Sequence, residues 1–214
     1  MEKQVDTTHY KFNSYMHKKR WISVWHQINE VIKYKPKRVL EIGPGSGVFK
    51  SSIGAFGINV ETLDLDPALG PDYVSSVFEM PFTDNTFNVV CAFQMLEHLP
   101  FEDSLVAFNE MVRVASEAVI ISLPDAARRW PFSIYIPKLG EINFSIPRPS
   151  FRAQKHVFDG EHYWEINKLG YPLKEIIKKL CDKSAVVLNK TYRVQENPYH
   201  RFFIFQKKHL KYRD

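Results

Sequence analysis

Arg38-Val-Leu-Glu-Ile-Gly-Pro-Gly-Ser-Gly47 is the stretch that decides how this chain folds. Val39, Leu40 and Ile42 make a short apolar run of the kind that fills a buried strand. Gly43, Gly45 and Gly47 then crowd a turn. Without a Cβ they let the backbone take strained angles and let a ligand approach closely. A glycine-rich turn between a strand and a helix is a nucleotide-type binding loop, because the helix start offers unpaired N–H groups. Spacing excludes two common versions of it. The dinucleotide fingerprint puts its last glycine where this chain has Val48, and glycine arrives one residue early, at Gly47. No Gly-Lys-Ser/Thr follows, so the loop is not a P-loop either.

Working outward, Asn59-Val-Glu-Thr-Leu-Asp-Leu-Asp-Pro67 reads as a second strand ending in acid. In parallel nucleotide-binding sheets a carboxylate there holds ribose hydroxyls. Asp64 and Asp66 both qualify, although Asp66-Pro67 also reads as a plain turn. Val77-Phe-Glu-Met-Pro-Phe82 precedes the apolar run Phe87 to Phe93, which suits a central strand. Gln94-Met-Leu-Glu-His98 follows that strand. A helix is expected from about Glu102 to Val114, and Val119 to Pro124 reads as a further strand.

In this order, Glu41-x-Gly43-x-Gly45-x-Gly47, the acid-ended strand, Met80-Pro-Phe82, Leu96-Glu-His98 and Arg113-Val114 resemble the motif series of class I S-adenosylmethionine-dependent methyltransferases. The resemblance covers roughly residues 36–124. It implies an α/β fold, a Rossmann-like doubly wound sheet of seven mostly parallel strands closed by a terminal antiparallel hairpin. One domain would span 1–214, with an N-terminal helix over 10–35 and a lid insertion over 124–165. The implied cofactor is S-adenosyl-L-methionine, leaving as S-adenosyl-L-homocysteine. Gly43, Gly45 and Gly47 would form the floor under its methionyl part, with Glu41 near the ammonium end. Asp64, followed by the hydrophobic Leu65 as in the family pattern, would take the ribose. Val77 and Met80 would flank the adenine, and Gln94 would line the methionine side. Ser76 stands where the family often has an Asp for the adenine amino group; a hydroxyl can accept the same hydrogen bond.

A hydroxyl acceptor also needs a base. His156 and His162, near the end of the lid, are the catalytic candidates, because imidazole titrates near neutral pH. Glu161 and Tyr163 have the same standing. His98 reads more simply as a helix-start residue. Some ubiquinone-pathway O-methyltransferases bind a divalent metal through Glu-x-x-Glu-His at this place. Here the first acid is Gln94, a poorer ligand for a hard cation, so no metal is expected.

With 214 residues, 44% of them hydrophobic, the chain can fill an ample core. A net charge of +5 permits acidic partners without demanding them. Cys91 and Cys181 have neither metal-like nor redox-like spacing, and Cys91 reads as core. Neither an apolar signal region nor a stretch of spanning length is present, so a cytoplasmic protein without a membrane partner is expected. Trp21, Val24, Trp25, Ile28 and Ile32 recur at helical spacing and predict an amphipathic helix packed on the sheet. Tyr15 to Arg20, just before them, reads first as a solvated helix face, with covering the cofactor or meeting a substrate as the alternative. Pro124, Pro131, Pro137, Pro147 and Pro149 exclude a long helix over 124–160. That stretch, with Arg128, Arg129, Arg148, Arg152 and Lys155, reads as a lid over the acceptor. Leu173 to Leu180 reads as a helix, and Ala185–Leu188 and Arg201–Gln206 as the last strands.

The leading expectation is transfer of a methyl group to a small-molecule acceptor by in-line substitution at O, N or C. A nucleic-acid or protein methyltransferase is the alternative, favoured by the basic lid and by Lys207, Lys208, Lys211 and Arg213. Against it, Gln94-Met-Leu-Glu97 stands where amino-directed nucleic-acid methyltransferases carry Asn/Asp-Pro-Pro-Tyr, and Asn197-Pro-Tyr199 falls between the last strands. A non-catalytic cofactor-binding module is the third reading.

Overall fold

The computed structural model describes residues 10–149, 154–182 and 184–208. Arg152, Lys211 and Arg213 lie outside the described residues. Helices α1 (Phe12–Tyr15) and α2 (Lys18–Ile32) precede strand β1 (Val39–Ile42). Then come α3 (Val48–Gly54), β2 (Val60–Asp64), β3 (Tyr73–Val74), β4 (Phe87–Phe93), α4 (Phe101–Val114) and β5 (Ala115–Pro124). The chain continues through β6 (Arg129–Ile136), β7 (Gly140–Pro147), α5 (Leu173–Cys181), β8 (Val186–Arg193) and β9 (His200–Lys207).

Among the described residues, seven strands form one sheet in the order β3-β2-β1-β4-β5-β9-β8. The pairings from β3 through β5 are parallel, whereas β9 runs antiparallel to both β5 and β8. This is the doubly wound α/β topology expected, with its terminal antiparallel pair. The winding reverses between β1 and β4, which opens a crevice at their carboxyl ends.

Strand alternation divides the core into two layers. Leu40, Ile42, Val90 and Ala92 face α4 and α5, in a layer with Phe108 and Ile176. Val39, Val89 and Cys91 face the other way, with Phe49 of α3 and Val31 of α2. Both faces are covered, so the central strands read as continuous apolar runs. Cys91 is core as expected, and burial pushes its thiol up well above the ordinary range. No helix among the described residues is long and apolar enough to cross a membrane.

The N-terminal helix differs from expectation in two ways. It breaks at Met16-His17, where the His17 side chain caps α2 by accepting from the Arg20 N–H at 3.3 Å. It is also rotated: Val24 and Val31 are buried, but Trp21 and Trp25 are 53% and 59% exposed. Polar partners set that rotation. Asn197 donates to Ser23 at 3.1 Å, Lys190 donates to the buried Glu30 at 3.1 Å, and His26 meets the Tyr192 hydroxyl at 3.2 Å. These contacts put the polar side of α2 against the last two strands and their connection.

The proline-rich stretch holds two strands. Among the described residues β6 and β7 pair only with each other, Phe132 opposite Phe144 and Ile134 opposite Ile142. We refer to this hairpin as the arm. At its root, buried Asp125 accepts from Arg201 and Asn167, each at 2.7 Å, and pairs with Arg193. Beyond the arm the chain returns to the core. Trp164 is buried, donates its indole N–H to the Leu99 carbonyl at 3.1 Å and meets Phe101 edge-on.

Candidate functional site

At the carboxyl ends of β1, β2 and β4 lies a cavity of about 420 Å3. Gly43, Asp64, Leu65, Ser76, Val77 and Gln94 line it, as do Tyr10, Met95 and His98. The glycine turn works as its residue types require. Gly43, Gly45 and Gly47 have φ of +68°, +52° and +67°, in the left-handed region. A Cβ on Gly43 would fall 2.6 Å from Met95 Cγ, and one on Gly45 would fall 2.9 Å from the Tyr10 ring. Gly47 has open space and serves as the N-cap of α3.

Asp64 and Asp66 separate by their local bonds. Asp66 accepts from the Ala68 N–H at 3.0 Å and caps a short 3-10 turn. Asp64 ends β2, accepts from the Asp66 N–H at 2.8 Å, and is pushed up chiefly by burial. Ser76 accepts from the Phe78 N–H at 3.2 Å. Gln94 takes a left-handed φ of +54°, a strained setting for a non-glycine residue. Its N–H donates to the Ser122 carbonyl at 2.9 Å and its amide to the Ser122 hydroxyl at 3.2 Å. Gly45 and Gly47, expected as floor with Gly43, line neither this cavity nor its neighbour, and Met80 departs from expectation too. It is only 3% exposed and belongs to the core, where its N–H donates to Glu110 at 2.9 Å, and it does not line the cavity.

A smaller cavity of about 40 Å3 adjoins the first across Gly43 and Gln94. Its walls include Tyr15, Arg20, Glu41 and His200. Arg20 Nε, Glu41 Oε2 and His200 Nδ1 are buried and have no hydrogen-bond partner among the described residues. Burial pushes Glu41 up to about 8, with Lys50 opposing. Burial, joined by the charges of Arg20 and His17, brings His200 down to about 3. The Arg20 guanidinium lies 3.9 Å from the Tyr15 ring centroid. Tyr15, Met16 and Arg20 therefore wall a buried polar niche, whereas His17, Lys18 and Lys19 are exposed as expected.

A third group stands behind the large cavity. Glu97 is fully buried and neither carboxylate oxygen has a hydrogen-bond partner among the described residues. Burial pushes it up to about 8, with His162 opposing. The His98 and His162 rings meet edge-on at 5.1 Å. His162 Nδ1 lies 3.2 Å from Glu165, which also accepts from the Tyr199 hydroxyl at 2.7 Å. Burial alone would lower His162, but the Glu165 bond and the charges of Glu97 and Asp159 outweigh it and hold it up. The ligand atoms of Glu97, His98 and His162 all lie within 4.8 Å of one another. His156 bonds the His162 carbonyl at 2.7 Å and does not line the large cavity. Of the predicted bases, His162 thus reaches the site through His98, and His156 supports the loop.

Sequence reasoning missed Tyr10 and His200, and held Arg20 only as part of the less favoured reading of its cluster. Arg20 and His200 meet in the small cavity from opposite ends of the chain, and no local spacing marks such a pair.

The "Methyltransferase domain" family matches residues 12–163. A ubiquinone biosynthesis O-methyltransferase from Erwinia tasmaniensis is 27% identical over 146 residues, which cover 58% of this chain and 57% of that relative's length. Among solved structures, a magnesium protoporphyrin IX methyltransferase from Synechocystis with bound S-adenosylmethionine superposes with a TM-score of 0.57 at 13% identity, over 89% of this chain and 79% of its own. A 1,6-didemethyltoxoflavin-N1-methyltransferase from Burkholderia thailandensis, holding its namesake compound and S-adenosylhomocysteine, gives 0.58 at 13% identity, over 95% and 88%. At these identities the structures speak for the fold.

Proposed function

The chain belongs to the methyltransferase domain family, and on that premise we propose that it moves the methyl group of S-adenosylmethionine to a small-molecule acceptor. The observation that carries the reading is the cavity between the left-handed glycine turn and Asp64, at the carboxyl ends of the parallel strands. The residues present fit the cofactor by their chemistry. Gly43 lines the cavity without a side chain of its own, and a Cβ there would drive into Met95. Asp64 offers a carboxylate to ribose hydroxyls, and Ser76 and Val77 offer a polar and an apolar edge to adenine. The unpartnered Arg20 Nε suits a carboxylate, and the unpartnered Glu41 oxygen suits an ammonium group. Both belong to the amino-acid end of the cofactor.

When bound, S-adenosylmethionine supplies a sulfonium-activated methyl group to an acceptor lone pair. The protein's share is to hold the two reactants close and aligned, which in general accounts for several kcal/mol of the barrier. Gln94, fixed by both of its bonds to Ser122, orients the junction of the two cavities. His98 lines the large cavity and takes the acceptor proton onto its imidazole. His162, already biased toward its charged form by Glu165, positions the His98 ring. In this reading Glu161 and Tyr163 have no chemical part.

We further propose that the described residues act as one domain and that it works in the cytoplasm. The free thiols of Cys91 and Cys181 support a reducing compartment.

Titration calorimetry with S-adenosylhomocysteine tests binding, and label transfer from methyl-labelled S-adenosylmethionine into a metabolite extract tests chemistry. Binding with label recovered on an extracted compound is expected. Binding without transfer to any acceptor would select the non-catalytic module, and an empty cavity would sink the reading.

A further inference from the structure

We propose that the β6–β7 arm and the exposed tryptophans of α2 dock this protein on the surface of an anionic lipid bilayer. The inference stands apart from methyl transfer. It starts from the pleat, in which alternate side chains share a face. Trp130, Phe132 and Ile134 lie opposite Ile146, Phe144 and Ile142, so six apolar side chains form one face. Each of them is between 41% and 50% exposed, and the Phe132 and Phe144 rings stack at 5.3 Å. The reverse face is mostly polar, with Ser133 beside Asn143 and Arg129 donating to Ser145. Tyr135 and Leu139 stand exposed near the tip. A two-stranded ribbon with a bare apolar face is marginal in water on its own, and a face this continuous marks a binding surface.

Charge says what covers it. Between residues 128 and 148 the arm carries Arg128, Arg129, Lys138 and Arg148 against the single acid Glu141. A second copy of the arm would bring this basic ribbon against itself. An anionic bilayer meets the positive charge and the apolar face together. Trp130 is of a residue type that settles at the boundary between headgroups and acyl chains.

A second patch points the same way. Trp21 and Trp25, one helical turn apart on α2, are both exposed and follow the exposed Lys18. Both patches are moored to one connection, the segment between β8 and β9. Gln195 donates to the Phe144 carbonyl of the arm, and Asn197 donates to Ser23 of α2 at 3.1 Å. Attachment of this kind is peripheral and needs no spanning helix.

Vesicle flotation without cofactor tests the proposal separately from catalysis. The expected result is flotation with equimolar phosphatidylglycerol and phosphatidylcholine, at least roughly tenfold stronger than with phosphatidylcholine alone and weakened by salt. Phe132→Ser with Phe144→Ser should lower partitioning by about tenfold or more, because both rings lose their apolar burial. Arg128→Glu with Arg148→Glu keeps the apolar face and should remove the preference for anionic vesicles. Both pairs are exposed, so the thermal midpoint should stay near that of the parent chain. No flotation, or flotation unchanged by either pair, overturns the proposal. A parent dimer in sedimentation equilibrium that Phe132→Ser with Phe144→Ser dissolves would also overturn it, assigning the face to a second copy.

Discussion

Strand β4 and strand β6 are both apolar runs, yet one is sealed and the other stands in water. Val89, Val90, Cys91 and Ala92 are buried by helices on both sides of the sheet. Phe132 and Ile134 have the same hydrophobic character but stay 41% and 50% exposed, with no layer above them among the described residues. Composition therefore selects strands, but topology decides which faces get covered. Crossover helices roof the parallel strands because each must return the chain to the same edge. A hairpin closed by a tight turn carries no such roof.

The sharpest way to break this comparison is at the seam. Asp125 links the end of β5 to Arg193 and Arg201, at the point where the arm begins. Asp125→Ala leaves two partly buried guanidinium groups without their carboxylate, and should cost about 3–5 kcal/mol of unfolding free energy in urea titration. Next is the sealed half's binding turn. Gly45→Val forces a branched side chain onto a left-handed φ and into the Tyr10 ring. Affinity for S-adenosylhomocysteine should fall by at least about a hundredfold in calorimetry, equivalent to roughly 2.7 kcal/mol. Asp64→Ala should cost about 1–3 kcal/mol of the same affinity through a lost charge-assisted hydrogen bond.

A smaller effect depends on pH. Glu41 holds its proton up to about 8 in the folded chain, against 4.5 ordinarily. Between those values the folded state keeps a proton that the unfolded chain has released. That contribution to stability is complete below 4.5 and is lost as pH rises toward 8. Glutamine cannot ionise. The thermal midpoint of Glu41→Gln relative to the parent should therefore gain steadily as pH is raised across this window. A constant offset would show that Glu41 ionises normally. Smallest of all, Phe132→Ser on the open face should change unfolding free energy by less than about 0.5 kcal/mol. A large loss there would mean the arm packs against the body after all.

Much of the sealed half was legible in the sequence. Runs such as Phe87 to Phe93, bounded by turn residues, report strands directly. Three glycines in one turn report a left-handed backbone that glycine takes without the strain a side chain would bring. Ionic partners far away in the sequence are a different matter. The rotation of α2 follows Glu30, Ser23 and His26 meeting Lys190, Asn197 and Tyr192, and hydrophobic spacing alone chose the tryptophans instead. Met80 looked like an adenine neighbour by motif, but its N–H answers Glu110 and its side chain fills the core. His200 was invisible for the same reason, since the niche it shares with Arg20 exists only after the sheet has formed.

The lone reversed strand has its own consequence. Because β9 runs against β5, His200 pairs with Pro124, and the beginning of one strand sits beside the end of the other. The connection leading into β9 is thereby delivered to the rim where the parallel strands finish. A residue from position 200 completes a pocket whose other walls come from residues 15–49 and 93–94. Shortening the chain before β9 would strip that pocket of His200 and take from Glu165, beside His162, the Tyr199 hydroxyl, while leaving every glycine of the turn in the sequence.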